Sequence, residues 1–270
     1  MTAVDLVVTD LDGTLWHTDD LIPDRVLAAV AELARRDIPL LVATGRRLDS
    51  TRAPLAAVGL APAAVVLNGA LGVDLATDER FHRAPFPIDQ AAAALAAFRS
   101  VGLEPVIYVD HPSYAVFLAE EPSTNPVHVR ALGASAATDD LDRVVAEEAV
   151  LGFSMIGVPF PDAEAAQTAL GDQVEVHLDR SIDFEGMASL TVAPLGQSKW
   201  DGVLAYCRRR DLRPDRVLAV ADGPNDLELL TNAAVRAVPT VAHPSALALA
   251  HHVIPAAADG GWADIVTLLD

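Results

Sequence analysis

A single cysteine, Cys207, rules out a disulfide within this 270-residue chain, which suits a reducing compartment and leads to the expectation of a cytoplasmic protein. Cations are scarce: 19 lysines and arginines stand against 38 aspartates and glutamates, a formal net charge of -19. Phosphate backbones and anionic lipid surfaces are held largely by Lys and Arg, so neither nucleic acid nor membrane is expected as a partner. A small anionic ligand survives that argument. At physiological salt, charges beyond roughly 8 Å are largely screened, and a local group of cations can override the global sign. No apolar run reaches the roughly 18 residues that a membrane span needs. The opening MTAVDLVVTDLDGT has no basic segment ahead of its apolar one, so no secretory signal is read there. No repeat of fixed period and no Gly/Ser-rich linker is evident. Nor do the eight histidines cluster: His251 and His252 are adjacent, which on a helix points them in different directions, and the rest are scattered.

What is present is apolar and rhythmic, with 51% hydrophobic residues. The first third alternates VDLVVT, PDRVLAAVAELARR, IPLLVAT, DSTRAPLAAVG and AAVVLN. Short, almost wholly apolar strands between amphipathic helices predict a parallel sheet covered on both faces. The rhythm resumes near residue 196 with KWDGVLAYCRRR, RVLAVA, PNDLELLTN and AVRAV, and a terminal helix is expected near GWADIVTLL. Between them, paired extended segments (EPVIYVD, YAVFLAE, VLGFSMIGVPF, QVEVHLD) with two helical patterns favour a mixed α+β module. The expected organisation is a doubly wound α/β core, residues 1–80 and 191–270, with an inserted α+β domain over 81–190.

Three apolar runs end in polar groups: VVT into Asp10, Asp12 and Thr14; LLVA into Thr44, Gly45 and Arg46; VLAVA into Asp222, Gly223, Asn225 and Asp226. In an open parallel sheet the carboxyl ends of the strands share one edge, where ligands bind, so three separated stretches converge on one site. Asp10 and Asp12, two apart on an extended chain, should both reach it. Two like charges so close cost energy unless a cation or a retained proton relieves them. Four carboxylates without clustered His or Cys suit a hard cation, and Mg2+ above all. With the Thr44 hydroxyl and a cation at Lys199, these groups amount to equipment for phosphoryl transfer.

DLDGT at 10–14, ATGR at 43–46, Lys199 and ADGPND at 221–226 resemble, in order and separation, the four motifs of the haloacid dehalogenase (HAD) superfamily. The inserted module and NGA at 68–70 are similar to its Cof-like, sugar-phosphatase branch. The resemblance implies a Rossmann-like core with a large α/β cap that closes over the leaving group, and a Mg2+-dependent phosphatase acting on a small phosphorylated metabolite such as a sugar phosphate. Asp10 would attack phosphorus and become an aspartyl phosphate; Asp12 would protonate the leaving oxygen and later deprotonate water. The metal would be held by Asp10, the Asp12 backbone carbonyl and Asp222, with Asp226 binding it or the groups around it. Thr44, Gly45 and Lys199 would hold the phosphoryl oxygens, and Asn225 would orient them. Arg46, Asn68, Asp179 and Arg180 are candidate substrate contacts. Ala221 stands where the family usually has glycine.

Ordinary readings compete with these. Asp222 and Asp226 also suit a helix start, Thr44–Gly45 a plain turn, Lys199 a solvated helix residue, Asn68 the NG turn, and Arg46 a pair with a structural carboxylate. Trp16, Trp200 and Trp262 read as core or edge aromatics rather than platforms for a base. A phosphomutase using the same aspartyl phosphate, and a non-catalytic protein on the same fold, are the rival functions.

Overall fold

The structure is a computed structural model and describes residues 4–17, 21–111, 113–181 and 183–270. It divides into two compact units, Met1–Arg83 with Ser198–Asp270, and Ala84–Gln197.

The first unit begins with β1 (Leu6–Thr9), α1 (Asp24–Arg35), β2 (Leu40–Ala43), α2 (Leu48–Ala57), β3 (Ala63–Val66), β4 (Leu71–Asp74) and β5 (Arg80–Arg83). The second holds α3 (Ile88–Ser100), β6 (Val106–Val109), β7 (Val116–Leu118), α4 (Pro126–Leu132), β8 (Ala136–Thr138), α5 (Leu141–Glu147), β9 (Val150–Val158), α6 (Phe160–Leu170), β10 (Val174–Arg180) and β11 (Ala188–Pro194). The chain then returns with α7 (Lys199–Arg210), β12 (Val217–Val220), α8 (Leu227–Asn232), β13 (Val235–Pro239), α9 (Pro244–Leu247) and β14 (His252–Ile254).

The core sheet has the order β14-β13-β12-β1-β2-β3-β4-β5. From β14 to β3 every pairing is parallel, as the apolar strands predict. Leu6 and Val8 of β1 pack with Val203, Tyr206 and Cys207 of α7. Thr9 faces the other way, where the buried Trp262 indole donates to its hydroxyl at 2.8 Å, so the strand is covered on both sides. Thr9 lies beside Val220 of β12 and Val42 of β2. Three strand ends are thereby aligned at the centre of one sheet edge.

Two features of this unit depart from the sequence expectation. β4 and β5 extend the sheet antiparallel: Leu67 (φ 53°) and Asn68 (φ 52°) take left-handed conformations and reverse the chain between β3 and β4, a second turn holding Asp78 (φ 62°) reverses it between β4 and β5, and turns this short can join only antiparallel strands. The expected terminal helix is a 3₁₀ run, Gly261–Leu268, with Trp262 and Ile265 buried.

In the second unit the sheet order is β10-β11-β9-β6-β7-β8, antiparallel apart from β7 with β8. Its core joins Leu95 and Phe98 of α3, Val144 and Val145 of α5 and Ala163 and Ala166 of α6 to Phe153, Met155 and Leu190. The boundaries differ from 81 and 190. β5 pairs with β4 through Arg83, and β11 stays in the inserted sheet until Pro194, opposite Val174. Among the described residues no helix is long and apolar enough to cross a membrane.

Candidate active site

Asp10 continues the β1–β12 ladder, its N–H donating to the Val220 carbonyl at 2.9 Å, and its side chain is buried. The chain then turns sharply, with the N–H groups of Thr14, Leu15 and Trp16 all directed at the Leu11 carbonyl. Gly13 makes the turn possible. It has φ 74°, and a Cβ there would lie 2.4 Å from Asp222 Oδ2. The close approach lets the Thr14 hydroxyl donate to Asp222 Oδ1 at 2.8 Å, which ties the first strand end to the third.

Lys199 enters from α7, whose start is fixed by a capping box between Ser198 and Asp201. Close packing delivers it: a Cβ on Gly69 would sit 2.0 Å from the Ser198 carbonyl oxygen. Its Nζ donates to Asp10 Oδ1 at 3.0 Å and to Asp226 Oδ1 at 2.6 Å, with no part of the side chain exposed. Asp226 Oδ2 in turn accepts the Gly223 N–H at 3.0 Å. Lys199 is the only lysine in the chain, against eighteen arginines. Its compact ammonium places two of its three donors on two buried carboxylates.

Carboxylate oxygens of Asp10, Asp222 and Asp226 all lie within 4.8 Å of one another. Burial pushes the Asp10 carboxyl well above the usual carboxylate range; Lys199 pulls it down, and Asp226, Asp222 and Asp12 push it up. Burial and then Asp226 push Asp222 up to about 6, against the Thr14 hydrogen bond and Lys199. Burial would lower the Lys199 ammonium, but Asp10 and Asp226 outweigh it and raise it. One lysine therefore does not balance three carboxylates. An all-oxygen set short of positive charge fits a hard divalent cation such as Mg2+.

This shortage makes a prediction. An acid whose folded pKa is raised binds more protons folded than unfolded, so its contribution to stability falls as pH climbs from the ordinary value near 3.8 through about 6. With a chelator present, Asp222→Asn should gain in melting temperature over the wild type progressively across that window, and added Mg2+ should shrink the gap. Comparing the two proteins cancels His82 and His251, whose lowered pKa values act in the opposite sense. A gap that ignores both pH and metal would show that Asp222 is not strained.

At the second strand end, the buried Thr44 donates its N–H to the Val65 carbonyl at 2.9 Å, and its hydroxyl accepts from the Arg46 N–H at 3.2 Å. Asn68 docks beside it: its N–H reaches the Thr44 carbonyl at 3.1 Å and its Oδ1 accepts from Asn225 Nδ2 at 3.0 Å. A side chain on Gly45 would meet Asn68 Oδ1 at 2.9 Å. Arg46 settles on Asp12: Nε donates to Oδ2 at 2.6 Å and Nη2 to Oδ1 at 2.5 Å. Asp12 thus stands apart from the three-carboxylate group in its side chain.

The structure brings Asp10, Asp222, Asp226 and Lys199 into one cluster, with Asp12–Arg46 and Thr44–Asn68–Asn225 on the same strand ends. Asp179 and Arg180 lie exposed on β10 of the second unit. In that unit the segments 108–114 and 178–186 each contain one residue, Pro112 and Ile182, outside the described residues. Two contributors carried no assigned role in the sequence reading. Thr14 binds Asp222, and Trp16, fully buried as a core aromatic should be, also donates its indole N–H to Asp12 Oδ1 at 3.1 Å. Its position four residues after Asp12, across a glycine turn, was the available signal.

The family whose sequence model matches residues 7–266 is described as haloacid dehalogenase-like hydrolase. A phosphoglycolate phosphatase of Methanopyrus kandleri is 25% identical over 251 residues, 93% of this chain and 90% of that protein. Among solved structures, a HAD-superfamily phosphatase of Bacteroides thetaiotaomicron superposes with a TM-score of 0.80 at 17% identity, covering 99% of this chain and 95% of that one. A HAD subclass IIB sugar phosphatase does so at 0.76 and 17%, covering 98% of each.

Proposed function

The chain belongs to the haloacid dehalogenase-like hydrolases, and on that premise we propose that it is a Mg2+-dependent phosphatase of a small phosphorylated metabolite, of the sugar phosphate class. One observation carries the reading: a single, wholly buried lysine bridges Asp10 and Asp226 at the sheet edge, with Asp222 alongside. Asp10 is the nucleophile. Its oxygen bonds to phosphorus as the ester P–O bond breaks, Asp12 delivers a proton to the departing oxygen, and the resulting aspartyl phosphate is hydrolysed by water that gives its proton to Asp12. Lys199 and the Thr44 hydroxyl hold phosphoryl oxygens, Gly45 leaves the space beside Asn68 open, and the Asn225–Asn68 bond keeps this wall in place. Asp10, Asp222, Asp226 and the Asp12 carbonyl would hold Mg2+, which when bound supplies Lewis-acid polarisation of the phosphoryl group.

The acidic surface argues for a small substrate over nucleic acid. Relatives named for phosphoglycolate and for sugar phosphates support a metabolite monoester. Asn68, Asp179 and Arg180 are the residues to vary first for selectivity. The test is a panel of phosphorylated metabolites with Mg2+. At least one should release phosphate at a rate in the ordinary enzymatic range, on the order of 1–10³ per second, and a chelator should stop it. Isomerised product with no free phosphate would make the protein a mutase instead.

A further inference from the structure

The Asp12 carboxylate receives three hydrogen bonds from two side chains, distributed unevenly. Oδ1 accepts from Arg46 Nη2 at 2.5 Å and from the Trp16 indole at 3.1 Å, whereas Oδ2 accepts only from Arg46 Nε at 2.6 Å among the described residues. A carboxylate offers about two lone-pair directions per oxygen. Oδ1 has both taken; Oδ2 keeps one. The donors are themselves held. Arg46 Nη1 donates to the Ser50 carbonyl at 3.2 Å, the guanidinium lies 5.0 Å from the centre of the Trp16 ring, and Trp16 is fully buried. A bidentate fork stacked on an aromatic face fixes orientation in both distance and plane. Asp12 and Arg46 are only about one-fifth exposed, at 20% and 21%.

We propose that Arg46, braced by Trp16, is a positioning residue that orients Asp12 and leaves Oδ2 as the one oxygen through which protons pass. This rests on the phosphatase reading. In the first half-reaction the Asp10–phosphorus bond forms, the ester P–O bond breaks with its electron pair going to the leaving oxygen, and Oδ2 gives that oxygen its proton. In the second, water bonds to phosphorus and loses a proton to Oδ2, and the Asp10–phosphorus bond breaks with its pair returning to Asp10. The sum is monoester plus water to alcohol plus phosphate, with Asp12 restored. Substituting Arg46 leaves the acid present and misdirected.

A leaving group that needs no proton separates this role from a structural one. The full-length protein with Mg2+ is mixed rapidly with p-nitrophenyl phosphate or with a simple alkyl phosphate, and alcohol release is followed through the first turnover. For Arg46→Gln the alkyl rate should fall further than the aryl rate, by on the order of 100-fold, the usual worth of a placed general acid. Arg46→Lys, which keeps the charge and loses the fork, should recover only part of the difference, and Trp16→Phe should show a smaller loss of the same sign. Thermal melts of each variant report folding separately. Equal losses on both esters in a folded variant, or full recovery by lysine, would overturn the proposal while leaving the phosphatase reading intact. A wild type that releases alcohol from no monoester would overturn both.

Discussion

Asp10→Asn should lower phosphate release by at least about 10⁴-fold, the scale on which removal of a catalytic nucleophile acts, and should melt no lower than the wild type in the absence of metal. The two halves of that result have one cause. Burial, with Asp226 and Asp222 alongside, raises the pKa of the Asp10 carboxyl, so its charge destabilises the folded chain at neutral pH. Asparagine keeps the shape and removes the charge, and Lys199 retains Asp226 at 2.6 Å. A group that costs stability and is nonetheless indispensable to turnover is there for chemistry. Circular dichroism melts and a phosphate-release assay on the same preparations check both halves; surviving activity would remove Asp10 from the mechanism.

Lys199→Met should do the opposite to stability. Taking away one partner of a buried ion cluster leaves uncompensated charge and costs about 3–5 kcal/mol, with turnover lost as well. Because Asp10 and Asp226 would then face each other without a cation, protonation would relieve the strain, and the loss should be smaller at pH 5 than at pH 7.5. Lys199→Arg should not rescue, since a side chain with no exposed surface has no room for the wider guanidinium. Urea titrations at the two pH values measure it. An equal loss at both would mean that packing of the lysine stem, rather than its charge, holds the site.

Much of the arrangement is legible in the sequence, for physical reasons that differ by residue. Asp10, Thr44 and Asp222 follow short apolar strands, and parallel pairing must align those ends, as Thr9 beside Val42 and Val220 shows. Lys199 is legible only through its place in the motif order, because a lone lysine at a helix start otherwise reads as solvated. The Arg46–Asp12 fork is not legible, because a long side chain can reach many partners, and this pair is 34 residues apart. Nor are α4 and α5: at seven residues each, they are too short for a helical period to declare itself. The reversal from β3 into β4 is foretold only by LNG, a turn whose left-handed Leu67 no propensity suggests.

That Asp10 carries the phosphoryl group and Asp12 the proton can be caught in one experiment. Asp12→Asn lacks the base for the water step but retains the nucleophile, and p-nitrophenol leaves without help. Mixed with p-nitrophenyl phosphate and Mg2+ and then quenched in acid, this variant should yield a peptide containing Asp10 that is heavier by one phosphoryl group in mass spectrometry. If the Asp10 peptide remains unmodified while the wild type hydrolyses the same ester, the phosphoryl group never resides on Asp10 and Asp10 is not the nucleophile.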